Sequence, residues 1–132
     1  MTEFQTIADD MAFLDDWEDR YKYVIDLGRA LPEFPDEDRT EENKVRGCAS
    51  QVWLVAEENG GRLTFRGDSD AHIVKGLVAV LLTLFSGRTK EEIGALDADA
   101  ELAKIDLASH LSAQRANGLA SMLARIKAYA DA

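Results

Sequence analysis

The chain has 132 residues, 46% apolar and 30% charged, a balance that suits one folded domain with a modest core and argues against disorder. Acids outnumber bases 25 to 15, and the formal net charge of -10 opposes nonspecific binding to nucleic acid and favours partners that bring basic groups. A single cysteine excludes an intramolecular disulfide and suits a reducing compartment.

The N-terminus, MTEFQTIADDMAF, carries acids early and lacks an apolar h-region, so it does not read as a signal peptide. The most apolar run, LVAVLLTLF at 77–85, is about half the length that spans a bilayer and reads as a buried helix. The expectation is a cytoplasmic protein with no membrane partner. Phe4, Ile7, Met11 and Leu14 recur at helical spacing, and Trp17, Tyr21, Val24 and Ile25 continue the stripe. Asp15 and Glu18 form a plausible capping pair, which places a break there and starts a second helix. LPEFPDEDRTEEN, with two prolines and six acids, reads as a surface loop with little to bury.

NKV at 43–45 can add a short third strand to two stronger candidates, QVWLVAEE and GRLTFRG, which NGG joins. The Asn59–Gly60 pair suits the positive φ of a tight hairpin. Val52, Leu54 and Ala56 share one strand face while Trp53 and Val55 share the other, so both sides should be covered. DSDAHIVKGLVAVLLTLFSG reads as the central helix, with cap candidates Asp68, Ser69 and Asp70 and a stop at Gly87. Thr89 and Glu92 form a capping box for a short helix over TKEEIGAL. Ser112 can cap a last helix that turns Leu119, Met122, Leu123, Ile126 and Tyr129 inward. Helices, a hairpin and more helices make an α+β domain over residues 1–132.

The thiol sits in RGCASQVW at 46–53, between Gly47 and the small residues Ala49 and Ser50. Lone cysteines are commonly buried structural thiols. A glycine and small neighbours leave this one open to a partner's reactive group, and access is what thiol chemistry requires. Arg46 could favour the thiolate or be a solvated loop arginine. A cysteine hydrolase would need His72 or His110 as its base, and neither stands in an orienting motif. One Cys and two separated His match no metal-ligand spacing, ENGGR lacks the Lys and Ser/Thr of a phosphate loop, and no basic face interleaved with aromatics is visible.

RGCASQVWL, then RGDSDAHIVKGLVAVLLTLFSGRTKEEI, then HLSAQRANGLASMLARI resemble the SufE family of sulfur acceptors, and the resemblance extends to LDDWEDRYKYVIDLGRAL near the N-terminus. It implies a small antiparallel sheet of about three strands packed against helices, similar to IscU-type scaffolds but without their cluster ligands. It also implies a non-enzymatic carrier that takes sulfur from the persulfide of a pyridoxal-phosphate cysteine desulfurase, stimulates that enzyme and passes the sulfur to an iron–sulfur cluster assembly scaffold. The CsdE-type branch, serving another desulfurase and other relay targets, shares these motifs. By position, Cys48 is the acceptor thiol, Arg115 and Asp70 lie near its loop, and Gly47, Ser50 and Gln51 match the loop pattern; His72 falls where the family does not require histidine. No cofactor is implied for this chain, since pyridoxal phosphate belongs to the partner.

Overall fold

The computed structural model describes residues 4–107 and 110–131. The first apolar stripe folds as α1 (Phe4–Phe13), burying Phe4, Ile7, Ala8 and Met11, and α2 (Trp17–Arg29) follows after a short break. The break lies where the pattern placed it, but the cap is Asp16 rather than Asp15. Asp16 is the extended residue immediately before the helix, so its carboxylate reaches the Glu18 N–H at 3.0 Å.

β1 (Val52–Asn59) and β2 (Arg62–Ser69) pair antiparallel from Val52↔Ser69 to Asn59↔Arg62. The turn between them is Gly60–Gly61, with φ of 60° and 82°. Asn59 is still in the ladder, which corrects the expected Asn59–Gly60 pair by one residue; two adjacent glycines meet the need for positive φ at both central positions without a Cβ penalty. The third strand is also relocated. β3 (Arg88–Thr89) pairs with the far edge of β2, giving the order β1-β2-β3. Residues 43–45 make only a bridge, Lys44 to Trp53, because the chain enters this edge from a turn and leaves it again at Gly47.

α3 (His72–Phe85) begins later than the charge pattern suggested, since β2 continues to Ser69 and Ala71, which has no side-chain cap, occupies the N-cap. Asp68, Ser69 and Asp70 are therefore not its caps. The helix is buried from Gly76 to Leu82, as its unbroken apolar run requires. It packs on β2 and on α2. Gly67 of β2 is a close contact: a Cβ there would stand 2.8 Å from both Leu54 and Val78.

β1 is covered on both faces only at its start, where Val52, Trp53 and Leu54 are buried, and it opens to solvent toward the hairpin. The cover over Trp53 comes from the segment expected to bury little. Phe34 is 5% exposed, and the Arg39 guanidinium lies 5.6 Å from its ring centre and 5.9 Å from that of Trp53. Arg39 also reaches the buried Asp68 at 2.6 Å, and Lys75 approaches the same carboxylate at 3.4 Å. Burial raises the pKa of Asp68, but these cations and the Ser69 N–H outweigh it and hold the carboxyl below its ordinary value.

α4 (Lys90–Ala95) carries the expected Thr89–Glu92 capping box, and α5 (Ala98–Ala103) is capped by Asp97. α6 (Ala113–Asp131) starts at Ser112, whose hydroxyl accepts from the Arg115 N–H at 3.2 Å. It buries Leu119, Met122 and Ile126 and half-buries Leu123 and Tyr129. Among the described residues, no helix is long and apolar enough to cross a membrane.

Candidate functional site

The edge of β1 makes the site. Val45 N–H donates to Val52 O at 2.8 Å, which closes residues 46–51 into a loop with its feet together. Gly47 turns the chain with φ of 90°, in the left-handed region where a Cβ is strained, and a Cβ there would also stand 2.5 Å from Ser121 Oγ. That turn lays Cys48 on α6, its Sγ 3.6 Å from the carbonyl oxygen of Gly118. A Cβ on Gly118 would itself lie 3.5 Å from Sγ, so the glycine leaves bare helix backbone under the thiol.

Asp70 holds the other foot. Its carboxylate accepts from the Gln51 N–H at 3.0 Å and from the Gln51 side-chain amide at 3.4 Å, while its own N–H donates to Gln51 O at 3.3 Å. An acid that the sequence would equally assign to helix capping thus fastens the cysteine loop to the end of β2.

A cavity of about 310 Å³ opens beside Cys48, with Val74, Leu77 and Met122 on its apolar side and Ser50, Gln114 and Arg115 on its polar side. Arg115 is exposed, and among the described residues no ion pair holds its guanidinium. Arg46 is exposed and pairs with Glu41 at 3.2 Å, as a solvated loop arginine does. Burial pushes the Cys48 thiol above its ordinary pKa. The proton is therefore retained to higher pH in the fold than in the unfolded chain. Alkylation of Cys48 by iodoacetamide is expected to be slower than in urea-unfolded protein at neutral pH, with its midpoint displaced to higher pH. Matching midpoints in folded and unfolded protein would contradict a desolvated thiol.

Neither histidine lines this cavity. His72 is exposed at the start of α3, and His110 stacks on Trp17 with ring centres 3.7 Å apart and its Nε2 3.6 Å from Asp106. The Cys–His pairing required of a hydrolase is not assembled. Among the described residues no cluster of His, Cys, Asp and Glu could hold a metal ion.

The structure brings Cys48, Ser50 and Arg115 to one cavity and places Gly47, Gln51 and Asp70 at the loop's turn and foot. The sequence reading missed the floor. Gly118, Ser121 and Arg125 line up along one face of α6 beneath the loop, at spacings of three and four. An isolated glycine inside the helical pattern RANGLASMLAR was the one available signal.

The SufE model, described as an Fe-S metabolism associated domain, matches residues 5–130. An uncharacterized SufE-like protein of Rhizobium meliloti (strain 1021) is 58% identical over 135 residues, covering 99% of this chain and 96% of its own. A second from Rhizobium etli is 57% identical over 131 residues, covering 96% and 88%. The solution structure of a hypothetical protein from Thermus thermophilus superposes with a TM-score of 0.77 at 18% identity, over 97% of this chain and 93% of that one. That likeness establishes the fold, and the sequence matches establish the kinship: the chain belongs to the SufE family.

Proposed function

We propose that the chain, acting as one unit, is a sulfur acceptor for a pyridoxal-phosphate cysteine desulfurase and needs no cofactor of its own. The Cys48 thiolate attacks the outer sulfur of the desulfurase persulfide. A new S–S bond forms on Cys48, the partner's S–S bond breaks, and the partner's cysteine leaves as thiolate. The observation that carries this reading is the seat of Cys48, half-buried at the tip of a closed loop beside a cavity that Arg115 also lines. Such a seat has room for one added sulfur and screens it from oxidants and free thiols, while the loop can still present it to another protein. The sulfur then passes to an iron–sulfur cluster assembly scaffold; service to a different desulfurase and other relay targets, as in the CsdE-type branch, is the alternative destination.

Incubation with a desulfurase and free cysteine is expected to add the mass of one sulfur atom to Cys48. No gain, with the desulfurase active, would overturn the reading. Arg115, which lines the same cavity, steadies thiolate charge during transfer in this reading. Hydrogen bonds to charged groups contribute about 1.5–3 kcal/mol, so Arg115→Ala is expected to slow transfer roughly ten- to a hundredfold with little change in melting temperature. Arg115→Lys should restore only part of the rate, because an ammonium lacks the planar fork. A wild-type rate in Arg115→Ala would remove the residue from the site.

A further inference from the structure

The feet of the cysteine loop are held unequally. Asp70 fastens the Gln51 side, as described above. On the other side, the guanidinium of Arg125 donates to Lys44 O at 3.0 Å and to Glu42 O at 2.6 Å, reaching across from the middle of α6. Its Nε points at Tyr129 Oη, 3.3 Å away, and the ring centre of Tyr129 lies 5.4 Å from the guanidinium carbon. Tyr129 is itself fixed by donating to Leu54 O at 3.2 Å, on the strand that the loop leads into. Every nitrogen of the fork thus has a partner, and two of them hold carbonyls within six residues of Cys48. The same helix face then meets Gly47 at Ser121 and Cys48 at Gly118.

We propose that Arg125 is a positioning residue for sulfur transfer: it pins the carbonyls of Glu42 and Lys44 to α6, so that residues 46–51 swing as a unit between two fixed feet and present Cys48 in one geometry. A free reagent and a protein partner feel the clamp oppositely. Loosening it exposes the thiol to any small electrophile, yet it spreads the thiol over many positions, of which few suit in-line attack on a partner's persulfide. The consequence for transfer rests on Cys48 being the acceptor; the clamp itself does not.

The test compares Arg125→Ala and Arg125→Lys with Lys127→Met. Lys127 donates to Ile93 O at 2.5 Å and Leu96 O at 2.8 Å, so its loss weakens α6 against α4 without touching the loop. Each variant is alkylated at Cys48 with iodoacetamide across a pH series, and its rate of sulfur uptake from a desulfurase is followed by intact mass. For Arg125→Ala, alkylation is expected to be about tenfold faster, the equivalent of about 1.4 kcal/mol in the loop's opening, with a lower pH midpoint and slower sulfur uptake. Arg125→Lys should fall between it and wild type, since one ammonium cannot grip two carbonyls in a fixed fork. Lys127→Met should alkylate as wild type does. Unchanged alkylation in Arg125→Ala, or an equal acceleration in Lys127→Met, overturns the clamp. If Arg125→Ala does not fold, Arg125→Lys decides the matter on the same readouts, unchanged alkylation overturning and acceleration supporting. Sulfur uptake as fast as wild type in a variant that alkylates faster overturns the role in transfer. Failure of wild type itself to gain sulfur is a failure of the acceptor reading, and the alkylation arm still decides the clamp.

Discussion

Cys48→Ser is expected to abolish sulfur uptake while leaving the fold and desulfurase binding intact. The substitution exchanges one atom in a loop, where the thiol makes a weak hydrogen bond to Gly118 O at 3.6 Å and packs, half-buried, against the edge of the core. A hydroxyl fits the same space and can donate to the same carbonyl, so the cost is that of exchanging one half-buried sulfur for a more polar oxygen, about 1 kcal/mol, and the protein stays folded. Chemistry is another matter. A serine hydroxyl is hardly ionised near neutrality and does not exchange with a disulfide sulfur, so the loss of transfer is complete rather than graded. Chemical-shift perturbation or calorimetry should show the partner still bound, and stimulation of the desulfurase should disappear. Full stimulation by this variant would sink the acceptor role and leave a binding module with an inert thiol.

What could be read from the sequence was set by the distance over which each feature is encoded. The Thr89–Glu92 box and the Ser112 cap join residues three apart, and both formed as expected. The apolar stripes of α1 and α6 and the buried run of α3 are equally local. Errors of one residue, at Asp16 and at Gly60–Gly61, arose where two adjacent residues of similar propensity competed and backbone geometry chose between them. Long-range pairing left no such mark. Nothing near Arg88 or Thr89 announces a strand, because the pairing is supplied by the free edge of β2. Asp68 reads as a helix cap until Arg39 and Lys75 converge on it, and Phe34 reads as loop until Arg39 covers it. In the site, Cys48, Gly47 and Arg115 stood out by motif resemblance, whereas Arg125 meets its two carbonyls across 81 and 83 residues of chain and could be found only in the fold.

Gly76→Ala is expected to destabilise the protein, although helix propensity alone argues the reverse. Alanine is favoured over glycine inside a helix by about 1 kcal/mol, and Gly76 lies within α3. At this position, however, α2 and α3 touch through their backbones. A Cβ on Gly76 would collide with the carbonyl oxygen of Val24 and stand 2.7 Å from its Cγ1, and on the facing helix a Cβ on Gly28 would stand 2.7 Å from the Gly76 nitrogen. Backbone atoms cannot swing aside as a side-chain tip can, so the helices must separate or shift. Overpacking of this kind costs roughly 1–3 kcal/mol and sometimes more, enough to outweigh the propensity gain. A melting temperature lower by on the order of 10 °C is expected. Gly94→Ala is the matched control: it lies within α4, nothing stands within 4 Å of its Cβ, and it should be neutral or stabilising. The two glycines face each other, so Gly28→Ala and Gly76→Ala should not be additive, since the helix separation forced by the first relieves part of the second. The effect reaches the site as well. Val74 and Leu77 flank Gly76 and line the Cys48 cavity, so a displaced α3 opens the apolar wall beside the thiol. Gly76→Ala should therefore alkylate faster at Cys48 even at temperatures where it is fully folded. A variant as stable as wild type would mean that α2 and α3 can part at no cost; a destabilised variant with unchanged alkylation would mean that the cavity wall does not follow the helix.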